Sequence, residues 1–300
     1  MSGTGGAGAG LRALTPLLAR AGGHDPCAFG EPVRLIPVSG GSINRVYRVD
    51  TSAGRALLFK WLPEAPPGFF AAERTGLEAL RGAGPVVVPE VYAASDEGIL
   101  MEWLEPSPGQ EEAAAEELGR GLAAIHRRAS QAFGFPSDNF TGLLPQSNAF
   151  SPSWTEFYRD QRLLPQLERA RELGRLGPER GRLAARLLER LDRWIDEGEV
   201  VPSLVHGDLW SGNWIASVKG PALIDPAAYY GDREVDLAMA RLFGGFPKAF
   251  WTAYAECWPP RAGWEERLPL YQLYYLLIHL NIFGESYGPA VDRILRRYAG

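Results

Sequence analysis

The stretch Leu204-Val-His-Gly-Asp-Leu-Trp-Ser-Gly-Asn-Trp-Ile215 places one His, one Asp, one Asn and two Gly between apolar ends. An Asp-x-x-x-x-Asn spacing in a glycine-punctuated turn brings one carboxylate, Asp208, and one amide, Asn213, toward a common point. The carboxylate can accept a proton from a hydroxyl. The amide oxygen can bind a hard cation such as Mg²⁺, which prefers oxygen ligands. The alternative is a turn whose Asp and Asn cap local amides.

Downstream, the run 222–228 reads ALIDPAA and puts Asp225 at the end of an apolar strand. A hairpin between the two segments would set Asp225 beside Asn213, a metal pair able to bridge nucleotide phosphate oxygens. Alone, Asp225 reads as a strand-end turn residue. The protein-kinase catalytic loop H-R-D-L-x-x-x-N has the same layout. His206, Asp208, Leu209 and Asn213 match it, with Gly207 in place of Arg.

Upstream, residues 38–49 read VSGGSINRVYRV, a strand, a Gly-rich turn and a strand. Gly40, Gly41 and Ser42 would let backbone N–H groups approach phosphates; an ordinary hairpin turn is the alternative. The turn carries neither G-x-x-x-x-G-K-[ST] nor G-x-G-x-x-G, which argues against a P-loop or a dinucleotide site. Lys60 lies in the apolar strand ALLFKWL of a chain with only three lysines among 31 basic residues. A buried ammonium needs a partner. Glu73 shares a helix face with Phe70, Leu77 and Leu80, whereas Glu78 lines up with Arg74 and Arg81. A Lys60–Glu73 pair would aim the ammonium at phosphates; the alternative is an edge lysine reaching water.

The remaining candidates follow from position. Glu102, Trp103 and Leu104, in MEWLE, would form a hinge offering backbone groups to an adenine ring. Asp236 opens a helix, as a simple cap or as a buried acceptor bracing the catalytic turn. His206 orients the loop, and His126 reads as a packed core histidine. Trp210 is either an aromatic wall for the acceptor or loop packing. Asn139, Gln146 and Asn148 either bond acceptor hydroxyls or brace their loop. Phe243 and Phe246, flanking Gly244-Gly245, would line the acceptor cleft.

The chain-wide pattern agrees with two lobes around a cleft. Residues 1–10 are Gly/Ala-rich and are expected to be a disordered tail, followed by a helix over 11–21. Strand-like runs at 33–38, 45–50, 55–62 and 98–104 enclose one helix, Phe69 to Arg81. That predicts a small antiparallel-sheet N-lobe over 11–103. After the linker EPSPG, helical spacing dominates: Glu111 to Ala129, two stretches over about 153–197, and most of the remainder. Residues 133–148 read as a long polar loop. The C-lobe would span 104–300. The fold class is therefore α+β, and 300 residues suit one large domain or two lobes. A net charge of −5 excludes a broad nucleic-acid surface. Cys27 and Cys257 have no metal-like spacing. No basic segment followed by an apolar run opens the chain, and the apolar stretch 271–283 is too short to span a bilayer. The expectation is a cytoplasmic protein with no membrane or nucleic-acid partner.

With these parts in order, the chain resembles the fructosamine kinase (ketosamine kinase) family, within the aminoglycoside-phosphotransferase-like small-molecule kinases. The marks are HGDLWSGN (206–213), DNFTGLLPQSN (138–148), WTEFYRDQRL (154–163) and DREVDLAMARLFGGF (232–246), over about 11–299. The resemblance implies a bilobal protein-kinase-like fold, ATP with Mg²⁺, and phosphorylation of the sugar 3-hydroxyl of a ketosamine. The unstable ester then sheds the sugar, a deglycation repair. It also implies Asp208 as base, Asn213 and Asp225 as metal ligands, and Lys60 with Glu73 as phosphate anchor. Some relatives carry a cysteine in the Gly-rich loop with redox-linked dimerisation; Ser39–Asn44 has none, and monomer or homodimer stays open. Asp-Pro-Ala replaces Asp-Phe-Gly, so no activation-loop phosphorylation switch is expected. The rivals are an aminoglycoside, choline or homoserine kinase on the same fold, or a pseudokinase binding protein.

Overall fold

The computed structural model describes residues 4–23, 28–39 and 43–300. Gly40, Gly41 and Ser42, the expected phosphate turn, lie outside the described residues. Helix α1 (Thr4–Ala21) comes first. Strands β1 (Pro32–Val38), β2 (Arg45–Thr51) and β3 (Ala56–Trp61) follow, then helix α2 (Phe69–Arg81), β4 (Val91–Ala94) and β5 (Gly98–Glu102). The five strands form one antiparallel sheet in the order β1-β2-β3-β5-β4.

Strand alternation sorts this sheet into two faces. Leu57, Phe59 and Trp61 of β3 join Leu14, Leu17 and Leu18 of α1 in a core of their own. Leu58 and Lys60 of the same strand face the opposite way, toward the cleft. Helix α1 begins at Thr4, seven residues before its expected start, which corrects the expected tail. Ala9 packs with the α1–sheet core, and a Cβ on Gly10 would lie 3.5 Å from the Trp61 ring. Small residues let this turn approach the sheet closely. Strand β4 is absent from the expected set; it has only four residues and is held by β5.

Beyond the sheet come helix α3 (Glu111–His126), a hairpin of β6 (Asn139–Thr141) and β7 (Leu144–Gln146), and helix α4 (Trp154–Phe157). Helix α4 runs through a π-helical stretch, Tyr158–Leu163, into α5 (Leu164–Glu172), and α6 (Pro178–Leu188) follows. The hairpin corrects the expected structureless loop over 133–148. Short strands β8 (Ser203–Val205), β9 (Trp214–Ser217), β10 (Gly220–Leu223) and β11 (Tyr229–Gly231) bracket the quoted motif. Helices α7 (Glu234–Phe243), α8 (Lys248–Cys257), α9 (Trp264–Phe283) and α10 (Gly288–Ala299) complete the chain. One large core runs from Phe70, Leu77 and Leu80 of α2 through Leu118 and Leu122 of α3 to Tyr271 and Leu277 of α9. The architecture is the bilobal α+β kinase-like one. Among the described residues no helix is long and apolar enough to cross a membrane.

Candidate active site

A cavity of about 420 Å³ lies between the sheet and the helical part. Its walls include Lys60, Glu73, Glu102, Asp208, Asn213 and Asp225.

The quoted motif sits between two antiparallel pairings. Strand β8 pairs with β11, placing Val205 opposite Tyr229, and β9 pairs with β10, placing Trp214 opposite Leu223. The turn between them is held from behind. Asp236 Oδ2 accepts hydrogen bonds from His206 N (2.7 Å) and His126 Nε2 (3.1 Å), and its Oδ1 accepts one from Gly207 N (2.9 Å). Tyr275 donates to the Gly207 carbonyl at 3.1 Å. The buried His206 bonds the Ile224 carbonyl through Nε2 (2.9 Å) and faces the Asp208 amide through Nδ1 (3.3 Å). A donor at Nε2 and an acceptor at Nδ1 is the neutral tautomer. Burial pushes the His206 pKa below its ordinary value, against the pull of Asp236. Gly207 has φ +81°, and a Cβ there would collide with the Ala227 carbonyl. Arginine, found here in protein kinases, does not fit this backbone.

Asp208 points into the cavity. Asn213 Nδ2 donates to Asp208 Oδ2 at 3.0 Å and to the Asp208 carbonyl at 2.8 Å. With its nitrogen so engaged, the Asn213 amide has its oxygen left for a ligand. Burial pushes the Asp208 pKa from 3.8 up to about 7, opposed by the Asn213 hydrogen bond and reinforced by the negative charges of Asp225 and Asp236. A carboxylate in that range suits proton transfer near neutral pH.

The hairpin delivers Asp225 as the spacing predicts. Ile224 N donates to the Asn213 carbonyl at 3.0 Å, so the two segments are locked side by side. Asp225 takes φ +55°, a left-handed conformation rare outside Gly, Asn and Asp. Such strain persists where surrounding structure imposes it. Lys60 is buried and bonds Glu73 Oε1 at 2.6 Å. It also pairs with Asp225, a contact across the cleft that sequence reasoning missed. Burial alone lowers the Lys60 pKa, but the two carboxylates outweigh it and hold it above the ordinary value. Burial raises Glu73, against the opposing pull of Lys60.

Other expected residues fall into three groups. Glu102 ends β5; its carboxylate pairs with Lys219, and Trp103 Nε1 bonds Glu105 at 2.7 Å. No backbone group of Trp103 or Leu104 has a hydrogen-bond partner among the described residues, so these groups remain available at the cavity wall. Trp210 also lines the cavity and is 38% exposed. Asn139 and Gln146 are buried, and their amides are spent internally: Gln146 Nε2 bonds Asn139 Oδ1 (2.7 Å), and Asn139 Nδ2 bonds the Ala228 carbonyl (2.9 Å). Tyr274 donates to Gln146 Oε1 at 2.5 Å. Of the two expected roles these bonds are the bracing one: they tie hairpin β6–β7 to the segment after Asp225, while Asn139 also lines the cavity. Asn148 bonds Arg162 (2.7 Å) in the same way. Phe243 and Phe246 lie outside the cavity wall: Phe243 stacks on His279 at 4.8 Å, and Phe246 on Phe250 at 4.6 Å. For Phe246 this corrects the cleft-lining expectation, because its ring is taken up by Trp214 of β9 and by Phe250 and Trp251 of α8.

Two more residues escaped sequence reasoning. Arg162, fully buried in the π-helical stretch, stacks over Tyr229 at 4.0 Å and bonds the Ser147 carbonyl (2.6 Å). Its sequence signal is weak, since Asp160 and Gln161 precede it and only Leu163 and Leu164 on its other side are apolar. Asn44 lines the cavity with a buried Oδ1 that has no partner among the described residues.

The donor set fits a magnesium-bound nucleotide. The described residues contain no group of three His, Cys, Asp or Glu able to hold a metal by themselves. Mg²⁺ at nucleotide sites is held by one or two protein oxygens, with phosphates and water completing its shell. Asp225 and the Asn213 amide oxygen are such a pair.

Comparison with known proteins agrees with this geometry. A model of the family described as fructosamine kinase matches residues 29–299. A probable ketoamine kinase of Enterococcus faecium is 43% identical over 270 residues, covering 88% of this chain and 95% of that protein. The chloroplastic protein-ribulosamine 3-kinase of Arabidopsis thaliana is 36% identical, covering 87% of this chain and 81% of that one. The crystal structure of a candidate fructosamine-3-kinase from Thermobifida fusca superposes with a TM-score of 0.84 at 36% identity, covering 94% and 96% of the two chains.

Proposed function

This chain belongs to the fructosamine kinase family, and on that premise we propose that it transfers the γ-phosphoryl group of ATP to the sugar 3-hydroxyl of a ketosamine. The observation that carries the reading is the convergence of Lys60, Asp208, Asn213 and Asp225 on one cavity. These four side chains come from three separate parts of the sequence.

The roles follow from the geometry. Asp208 accepts the proton as the acceptor oxygen bonds to phosphorus and the bond to the ADP oxygen breaks. The Asn213 amide fixes the carboxylate in place, and Asp236, through the His206 and Gly207 amides, fixes the turn. Lys60, held by Glu73, neutralises phosphate charge. Trp103 and Leu104, following Glu102 at the end of β5, receive the adenine ring through their backbone groups. Asp225 and Asn213 hold Mg²⁺, whose chemistry is to neutralise and align phosphate oxygens. Positioning and charge supply most of the rate because the transition state is loose. A phosphate ester beside the ketosamine carbonyl eliminates readily, so the cellular outcome is removal of the sugar from the amine.

The test is ATP consumption with ribulosamines, erythrulosamines and fructosamines, using kanamycin, choline and homoserine as controls. ³¹P NMR of the product locates the ester. Phosphate on O3 of a ketosamine and none on the controls supports the reading; turnover only on a control refutes it.

A further inference from the structure

Twelve large apolar side chains are exposed among the described residues, and six of them, Ile43, Leu143, Trp210, Phe243, Ile282 and Phe283, are joined by a run of neighbours that starts and ends on the cavity wall. Ile43 and Trp210 line the cavity that holds Asp208. At Gly142, also on its wall, a Cβ would lie 3.5 Å from Ile282 Cδ1 and 3.7 Å from Ile43 Cδ1, so β-hairpin, helix α9 and the loop before β2 meet there. Leu143 is the next residue of that turn. Phe283 follows Ile282, and its ring lies 5.5 Å from His279, which stacks on Phe243 at 4.8 Å. Two residues beyond Phe243, Gly245 abuts Ser211, the neighbour of Trp210. Contacts and chain neighbours thus lead from Trp210 to Ile43, both on the cavity wall. Phe283, at 61%, is the most exposed of the aromatic members. The charged groups on the cavity wall, Lys60, Glu73, Glu102, Asp208 and Asp225, all belong to the phosphate, hinge or catalytic positions. The charge on the cavity wall is therefore committed to those roles, and what the six side chains themselves add is a rim of apolar area.

We propose that this rim is a subsite for the amine-side substituent of the acceptor, selecting ketosamines whose amine carries an uncharged apolar or aromatic group. The proposal rests on the ketosamine kinase reading. The occupant follows from covalent connectivity. A sugar hydroxyl at Asp208 leaves the remainder of the ketosamine, joined through its amine, to exit by the mouth of the cavity. That substituent then lies against the rim. Exposed apolar patches of this kind mark binding surfaces.

The experiment compares two ribulosyl-lysine amides of equal charge, one Nα-acetylated and one Nα-(3-phenylpropionyl)ated. For the unaltered chain, kcat/KM is expected to be tenfold or more higher on the aromatic adduct, expressed in KM, as for an apolar group entering an apolar subsite. In Phe283→Ser, and in Phe283→Ser with Phe243→Ser, the ratio between the two adducts falls to within about twofold. Phe243 is 41% and Phe283 61% exposed, so the substitutions are expected to leave the fold intact, which melting temperature checks. A ratio near one in the unaltered chain, or a ratio that survives both substitutions, overturns the proposal. So does a homodimer at assay concentration that dissociates in Phe283→Ser, because the face is then a contact between copies. Failure to phosphorylate either adduct overturns the ketosamine reading itself, whereas equal phosphorylation of both leaves that reading standing and removes only the subsite.

Discussion

At the scale of single residues, Asp208 carries two opposed demands. Burial makes its charge costly, and catalysis needs that charge. Its pKa is raised from 3.8 to about 7 in the folded chain, so between those values the folded form binds more protons than the unfolded chain, and this contribution lowers stability as pH rises. Asp208→Asn removes the cost and keeps a hydrogen-bond acceptor for Asn213. The expected outcome is a 10²–10⁴-fold loss of turnover, the usual worth of a general base. The melting temperature at pH 8 should equal or exceed that of the unaltered chain, with the advantage shrinking toward pH 4. A variant that lost activity by unfolding would show Asp208 to be structural. A second expectation concerns rate. kcat/KM for the acceptor should fall about tenfold per pH unit below about pH 7 and level off above it, because only the ionised base is competent. A profile flat from pH 5.5 to 8 would remove Asp208 from that role. The positions of Asp208, Asn213 and Asp225 were legible in the sequence because a short Gly-bounded turn and one hairpin fix them locally. The Lys60–Asp225 pair was not, since its partners are 165 residues apart and no spacing rule spans that distance.

At the scale of elements, α2 is clamped from the helical part at two points. Phe69 at its start meets Phe140 of the β6–β7 hairpin with ring centroids 5.2 Å apart. At Gly76, in its middle, a Cβ would lie 3.1 Å from Pro226 Cγ, next to Asp225. Glycine costs a helix about 1 kcal/mol relative to alanine, so its use here marks a close approach rather than a propensity. Gly76→Ala should therefore recover helix propensity while pushing α2, and Glu73 with it, away from the cleft. The expected result is a melting temperature within about 2 °C of the unaltered chain and a KM for ATP raised several-fold. Steady-state kinetics with ATP varied at saturating acceptor reads this directly; unchanged KM would mean that the clamp does not position Glu73. Legibility at this scale followed the source of each element's stability. The apolar spacing of Phe70, Leu77 and Leu80 gave α2 its observed bounds, Phe69 and Arg81. The β6–β7 hairpin was hidden, because its three-residue strands depend on Asn139 reaching Ala228 and Gln146 meeting Tyr274, contacts made only in the folded chain. The early start of α1 was hidden for the same reason: Gly10 gains helical order by lying against Trp61, which composition does not reveal.

At the scale of the whole molecule, Lys60 is the link between the sheet and the catalytic half, shared by Glu73 on its own side and Asp225 on the other. Nucleotide binding must reassign both partners. Phosphate oxygens compete for the ammonium, which leaves Asp225 facing negative charge at close range. With Mg²⁺ on Asp225 and Asn213 that repulsion becomes attraction; without it, the displaced carboxylate opposes the ligand. ATP should therefore stabilise the protein far more in the presence of Mg²⁺ than with EDTA. A ligand at about 100 times its Kd adds about 2.7 kcal/mol, and about 1 kcal/mol moves the melting temperature of a chain this large by about 2 °C. The expected shift is thus about 5 °C with Mg²⁺, and each tenfold loss of affinity without it removes about 1.4 kcal/mol of that gain. In Asp225→Asn the carboxylate is gone, so the two ligand-induced shifts should converge, whatever the variant's own starting stability. Differential scanning fluorimetry over an ATP series reads all four conditions. Equal shifts with and without Mg²⁺ in the unaltered chain would mean that Asp225 pairs with Lys60 for stability alone and is not the metal's ligand.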